Sequence, residues 1–219
     1  QMIGLVGRTG AGKSTIINLI SRLYDVTEGE ITIDGVNIRD IAIADLRRNI
    51  GVVTQETYLF MGTITENIRY ARPEASMEEV VAAAKAAYAH DFILRFPEGY
   101  DTVVGNGGVQ LSGGEKQRLS IARAILQDPA ILILDEATAA MDTQTERNIQ
   151  AAIEKLRAGK TIISIAHRLS TLRDADLLAV IDDGRLCESG THRELLERRG
   201  VYFNLHKIQL DSLKFINQE

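Results

Sequence analysis

An apolar run, a glycine-rich loop and a helical stretch follow one another at the start of this sequence, and their succession constrains the fold more than any other feature. Met2-Ile3-Gly4-Leu5-Val6 leads into Gly7-Arg8-Thr9-Gly10-Ala11-Gly12-Lys13-Ser14-Thr15, and Ile16-Ile17-Asn18-Leu19-Ile20 continues as a buried helix. Between a strand and a helix, the spacing G-x-x-x-x-G-K-[ST] is that of a phosphate-binding loop. Gly7, Gly10 and Gly12 let backbone N–H groups turn inward and face a polyphosphate with no side chains in the way. The helix starting near Lys13 adds the positive end of its dipole, Lys13 a point charge, and Ser14 a hydroxyl for Mg2+.

Composition bounds what such a loop is built into. With 219 residues, 45% apolar and 25% charged, the chain has the makeup of one globular domain, or of one domain with a smaller lobe. A net charge of −5 gives no sign of a nucleic-acid-binding surface. The single cysteine, Cys187, excludes an internal disulfide, fits a reducing compartment and reads as an ordinary packed thiol. No apolar run is long enough to span a bilayer, and no secretory or transit segment is expected before the first strand. Work at a membrane would therefore require another segment or another chain.

Taken in order, the chain alternates between strand and helix signals. Asp34-Gly35 between Ile31-Thr32-Ile33 and Val36-Asn37-Ile38 predicts a two-residue hairpin. Asp45-Leu46-Arg47-Arg48 predicts a short helix, and Ile50-Gly51-Val52-Val53 a second buried strand with Gln55 just after it. Between about 63 and 124 the strand signal all but disappears. A capping box at Ser76 opens an alanine-rich helix over 80–89, Phe92-Ile93-Leu94 precedes the turn Pro97-Glu98-Gly99, and Gly105-Asn106-Gly107-Gly108 is a loop. That block is expected to be a helical lobe inserted into an α/β core occupying about 1–62 and 125–204. The core resumes with Ala130-Ile131-Leu132-Ile133-Leu134, an apolar run of the kind buried on both faces of a parallel sheet. A helix from Thr143 to about 156, strands at 161–166 and 177–181, a box at Thr191 and an amphipathic helix over about 201–215 complete the reading.

Ligands of open α/β sheets lie beyond the carboxyl ends of the strands. Four expected strands here end in residues suited to nucleotide chemistry: the glycine loop, Gln55, Asp135-Glu136 and His167. Asp135 is placed to hold the Mg2+ shell. Glu136 either polarises an attacking water or simply stabilises the start of a helix, and Gln55 either ligates the metal or orients water. His167 alone would pass for a satisfied buried histidine. Its position at a strand end beside the other three argues for the site. Ser112-Gly113-Gly114-Glu115 forms a second small-residue loop at a helix N-terminus, about a hundred residues from the first. Either two anions bind, or this loop closes over a nucleotide held by another copy in a head-to-tail pair.

At these residues the sequence resembles the ATP-binding-cassette (ABC) family, and the match runs from the first strand to the last. Its phosphate loop is 7–14, its glutamine loop Gln55, its signature Leu111-Ser112-Gly113-Gly114-Glu115, its acidic pair Asp135-Glu136, its D-loop Ala139-Ala140-Met141-Asp142 and its switch histidine His167, all in family order. Phe60-Met61-Gly62-Thr63-Ile64, Glu66-Asn67-Ile68 and Val104-Gly105 are similar to the exporter branch in particular. The resemblance implies a P-loop NTPase core of mostly parallel sheet with an inserted all-helical signature lobe, acting as an ATP-hydrolysing motor with ATP and Mg2+ as ligands. It also implies a second ABC domain, identical or different, whose nucleotide meets Ser112 and Gly114. A transmembrane partner in the same or another chain is implied as well, driven from the cytoplasmic face. No nucleic acid is implied, and membrane contact comes only through the partner. Three departures stand out: Glu115 where glutamine is more usual, Ala139 and Met141 in the D-loop, and Asn106 where exporters commonly carry glutamate. The antiparallel strands that usually precede the phosphate-loop strand, bearing an aromatic residue for adenine, are expected to be missing.

Overall fold

The computed structural model describes residues 1–54, 57–135, 143–157, 159–165 and 172–216. Along the chain, β1 (Met2–Val6) is followed by α1 (Lys13–Ile20), β2 (Thr32–Ile33), β3 (Val36–Asn37), α2 (Ile43–Asn49) and β4 (Ile50–Val53). Next come β5 (Gly62–Thr63), α3 (Ile64–Arg69), α4 (Met77–Ala86), α5 (His90–Ile93), a 3-10 turn at Gly99–Asp101 and β6 (Val103–Val104). Then α6 (Gly113–Gln127), β7 (Ile131–Asp135), α7 (Thr143–Leu156) and β8 (Thr161–Ile165) lead to β9 (Leu177–Asp182), β10 (Arg185–Gly190), α8 (His192–Arg198) and α9 (Val201–Ile216). Six of the strands belong to one mostly parallel sheet, the α/β architecture that the strand–loop–helix opening demands. Contacts divide the chain into two units, Gln1–Arg47 with Thr161–Glu219, and Arg48–Lys160.

In the first unit β1 runs parallel to β8 on one side and to β9 on the other, and β10 returns antiparallel along β9. A central parallel strand is covered on both faces, which is why β1 is apolar throughout. Val6, Leu178 and Val180 pack with Leu172, Ala175, Leu195 and Tyr202, and Leu196, Val201 and Leu205 lie against that cluster. Helices α8 and α9 thus supply one wall of this core. Between β2 and β3, Asp34 and Gly35 both take positive φ (50° and 79°), the two-residue turn that Asp-Gly predicts.

Cys187 departs from the expectation of a packed thiol: it is exposed. The register of β10 against β9 shifts between Leu186 and Glu188, so Cys187 has no opposite residue there, and its thiol donates to the Val180 carbonyl at 3.2 Å.

In the second unit β4 pairs in parallel with β7, and α6 packs against α3, α4, α7 and β4. Ala83 and Ala84 of α4, with Leu119 and Ala122 of α6, are buried, small residues alternating with a large one where helices close on one another. Helices α3, α4 and α6 open on the same device. Thr63, Ser76 and Ser112 cap them, and Glu66, Glu79 and Glu115 complete the reciprocal hydrogen bonds. The two-residue ladder of β5 with β6 carries too little side-chain pattern for sequence to announce it. It is held by backbone bonds around it, Ile64 N–H to Thr102 O and Val109 N–H to Val103 O.

Candidate functional site

The predicted phosphate loop lies wholly in the first unit and leaves the sheet where β1 ends. A Cβ on Gly7 would come 2.2 Å from the Ile181 carbonyl of β9, so glycine alone lets the backbone pass. At φ 103° Gly12 occupies the N-cap of α1 in the left-handed region, which turns the chain from loop to helix. Ala11 is buried, while Arg8, Thr9, Gly10, Ser14 and Thr15 are exposed. Ala11 N–H donates to Arg8 O at 3.1 Å and its carbonyl accepts from Gly184 N–H at 3.2 Å, tying the loop to the turn after β9. No side-chain cap and no acidic residue occupy the first turn of α1. The first turn of α1 therefore carries no acid of its own to balance the helix dipole. Lys13 is buried, and its ammonium donates to Gly7 O at 2.8 Å and Arg8 O at 2.9 Å.

The second predicted loop, in the other unit, is built differently. Ser112 is the exposed N-cap of α6, followed by Gly113, Gly114 and Glu115 in the first turn. The Ser112 N–H and hydroxyl both donate to the Glu115 carboxylate at 2.8 Å, and Glu115 N–H donates to Ser112 Oγ at 3.3 Å. Thus α6 opens on a carboxylate of its own, where α1 opens on none.

Asp135 closes β7 behind the buried Leu132, Ile133 and Leu134, and is itself half-buried. Gln55, Glu136, His167 and the stretch Ala139-Ala140-Met141-Asp142 lie outside the described residues. Strands β4, β7 and β8 end at Val53, Asp135 and Ile165, within two residues of Gln55, Glu136 and His167 in the chain.

A polar network in the second unit went unread in the sequence. Gln117 is 2% exposed, accepts from Thr57 Oγ1 at 2.8 Å and donates to the Thr54 carbonyl at 3.4 Å. Asn67 is 1% exposed, and its amide donates to Phe60 O at 2.9 Å and Thr63 O at 3.0 Å while accepting from Phe60 N–H at 3.0 Å. Arg123 donates to Asn67 O at 2.6 Å, Tyr58 O at 2.8 Å and Asn67 Oδ1. Burial pulls its guanidinium down to about 10, which leaves it charged near neutrality. One signal was available. Gln117 falls on the stripe of α6 that it shares with Ser120, Ile121 and Ala124, where helical spacing calls for an apolar residue.

This network fixes a segment that is apolar on its outer side. Phe60 stacks on Tyr70 with ring centroids 4.0 Å apart, Tyr58 meets Phe60 edge-on at 5.3 Å, and Met61 is 77% exposed. Beside them a cleft of about 240 Å3 is lined by Thr57, Tyr58, Asn106, Val109 and Lys116 among others.

The family model described as ABC transporter matches residues 1–139, more than half of the chain. The chain belongs to the ABC transporter family. An ATP-dependent lipid A-core flippase of Syntrophus aciditrophicus is 53% identical over 209 residues, covering 95% of this chain and 35% of that protein. A heavy metal tolerance protein of Schizosaccharomyces pombe is 56% identical over 200 residues, covering 91% of this chain and 24% of that one. A solved structure of a bacterial Atm1-family ABC exporter with ATP bound superposes with a TM-score of 0.90 at 50% identity, over 94% of this chain and 36% of that chain. This ABC chain thus spans about a third of the length of the first curated relatives it matches, 35% and 36% of theirs. Among the described residues no helix is long and apolar enough to cross a membrane.

Proposed function

We propose that this chain is the ATP-binding and ATP-hydrolysing motor of an ABC exporter. The observation that carries the reading is the phosphate loop, with α1 opening on left-handed Gly12 and no acid in its first turn. Such an N-terminus suits a polyphosphate and opposes no charge to it. In this reading Gly7, Arg8, Thr9, Gly10, Ala11, Gly12, Lys13, Ser14 and Thr15 embrace the phosphates of ATP. Lys13 meets the β- and γ-phosphate oxygens, and Ser14, Gln55 and Asp135 hold Mg2+. A bound Mg2+ neutralises charge that builds up on the phosphoryl oxygens. Glu136 accepts the proton of the attacking water, and Gln55 and His167 orient the groups around it. The exposed Ser14 and the half-buried end of β7 at Asp135 both offer oxygen donors of the kind Mg2+ prefers.

The partners are also proposed. A second ABC domain, identical or different, brings its own Ser112, Gly113, Gly114 and Glu115 over this chain's nucleotide, in a head-to-tail pair that ATP closes and hydrolysis reopens. A transmembrane domain, in the same or another chain, docks on a helical lobe of about 63–124 from the cytoplasmic face. The exposed Tyr58–Phe60–Tyr70 cluster and the cleft beside Asn106 support that placement. Nucleic acid has no part in this scheme.

Lys13→Ala should abolish tight ATP binding, and Glu136→Gln should slow hydrolysis by at least ~10² while ATP-bound pairs accumulate, seen by light scattering with and without Mg-ATP. A Lys13→Ala chain that binds ATP like the parent would refute the phosphate-loop assignment. Unchanged turnover in Glu136→Gln would remove that residue from the chemistry.

A further inference from the structure

We propose that Gly184, in the turn between β9 and β10, is a positioning residue for the phosphate loop, holding the Ala11–Gly12 peptide through its N–H. The inference depends on the proposed ATP site in one respect, that N–H groups of the loop face phosphate. Ala11 is buried, and both of its backbone groups are engaged. Its N–H donates to Arg8 O at 3.1 Å within the loop, and its carbonyl accepts from Gly184 N–H at 3.2 Å. The described peptide bonds are trans, so the Gly12 N–H points to the side opposite that carbonyl, away from the turn. Gly12 needs φ 103° to enter α1, and the same freedom makes rotation of the peptide before it inexpensive. A rotated peptide presents a carbonyl where a polyphosphate calls for a donor. The residue types that let the loop turn therefore leave this peptide underdetermined, and the bond from Gly184 fixes it.

The hairpin is built to hold its place. Asp183 and Gly184 take φ 47° and 71° between the paired Asp182 and Arg185, a two-residue turn that follows the twist of its strands. Strand β9 also passes beside the start of the loop, where a Cβ on Gly7 would meet Ile181 O at 2.2 Å. At the other end of the loop a Cβ on Gly12 would lie 3.8 Å from Gly184 Cα. Both contacts fall within the first unit. Asp34 and Gly35 form the same kind of turn, at φ 50° and 79°, between the paired Ile33 and Val36. There the bond from Ile38 N–H to Ile31 O closes on its own hairpin. The chain thus carries an internal control, one Asp-Gly turn bonded to the phosphate loop and another bonded across its own strands.

Gly184→Val and Gly35→Val apply the same backbone strain to the two turns. At either site an added Cβ has no heavy atom within 4 Å, so the substitution acts through the positive φ. Three quantities are read in each chain: amide hydrogen exchange at Ala11 without ligand, Mg-ATP affinity by calorimetry, and melting temperature. Gly184→Val should speed exchange at Ala11 and weaken Mg-ATP binding, each about tenfold. Gly184→Asn, whose side chain tolerates the left-handed region, should stay within about twofold of the parent in both. Gly35→Val should lower the melting temperature as Gly184→Val does, yet leave exchange at Ala11 and Mg-ATP affinity within about twofold of the parent. Gly184→Ala, less strained than a β-branched residue, gives the reading if the valine variant folds poorly, with changes of about threefold expected. Equal losses of affinity in Gly35→Val and Gly184→Val would overturn the proposal, as would unchanged exchange at Ala11 in Gly184→Val. So would unchanged affinity in Gly184→Val where Lys13→Ala abolishes binding. If exchange quickens in Gly184→Val while neither it nor Lys13→Ala alters ATP affinity, the phosphate-loop assignment is overturned instead.

Discussion

Substituting Asn67 tests whether one buried amide holds the segment that follows β4. Asn67 makes four hydrogen bonds: to Phe60 O, to Thr63 O, from Phe60 N–H and from the Arg123 guanidinium. Three join neutral groups at about 1 kcal/mol each, and the fourth, to a charge, is worth about 1.5–3. Their sum is an upper bound of about 6 kcal/mol. Tyr58 and Met61 are exposed, so water reaches part of the segment once it loosens, and Arg123 keeps its bonds to Asn67 O and Tyr58 O. Asn67→Leu should accordingly destabilise by about 3 kcal/mol, mostly through groups left unsatisfied beside Phe60. Asn67→Asp is the sharper control. It keeps both acceptor bonds and gains charge against Arg123, but turns an oxygen on Phe60 O and Thr63 O, for a net loss of about 2 kcal/mol. Urea unfolding followed by circular dichroism should show midpoints lowered by about 1 M and somewhat less, taking a slope of about 3 kcal/mol/M. Asn67→Leu within about 0.3 M of the parent would refute the reasoning, as would Asn67→Asp unfolding with the parent.

Gly7→Ala places a methyl 2.2 Å from Ile181 O, so β9 or the loop must give way by about 1 Å. A loss of about 2–3 kcal/mol and weaker ATP binding should follow, checked by thermal melting and nucleotide titration. His192 in the first unit titrates below its usual 6.5, first through burial, then through the positive charges of His206 and Arg173, with Asp174 opposing them. Its Nδ1 lies 2.6 Å from Tyr202 OH. As pH falls through 6.5 the unfolded chain takes the proton first, so stability is whole above that pH and declines below it until the folded pKa is passed. Melting temperatures from pH 8 to pH 5 should fall less steeply in His192→Gln than in the parent. Parallel curves would mean that another group sets the slope.

Sequence made the turn from β1 through the glycine loop into α1 legible because backbone geometry left little choice there. Only glycine passes Ile181 O at position 7 and takes φ 103° at position 12, so the constraint is written in residue type. The capping boxes at Ser76 and Thr191 were legible for a similar reason, each bond joining residues three apart. The network of Gln117, Asn67 and Arg123 was not. The bonds made by Gln117 and Arg123 join residues 56 to 65 apart, and a glutamine on a helix reads as solvated until its neighbours are known. Cys187 failed through register, since a one-residue bulge in β10 decides its surroundings and leaves no mark in composition. For Glu115, position was readable but occupancy was not: the same box that starts α6 sets a carboxylate on the Ser112 N–H and hydroxyl.

The bonds from Lys13 to Gly7 O and Arg8 O make that side chain a cross-brace of the loop as well as a charge. Both carbonyls belong to the residues at which the chain leaves the sheet, so the ammonium damps the backbone at its exit point. Deleting it yields a looser receptor in addition to one contact fewer. Ordering the loop again costs conformational entropy that the parent has already spent in folding. The affinity lost in Lys13→Ala will therefore exceed the worth of the ammonium–phosphate contact, by an amount that amide hydrogen exchange over residues 7–12 of the ligand-free chain would reveal. In the proposed ATP site, Lys13 serves preorganisation before any phosphate arrives.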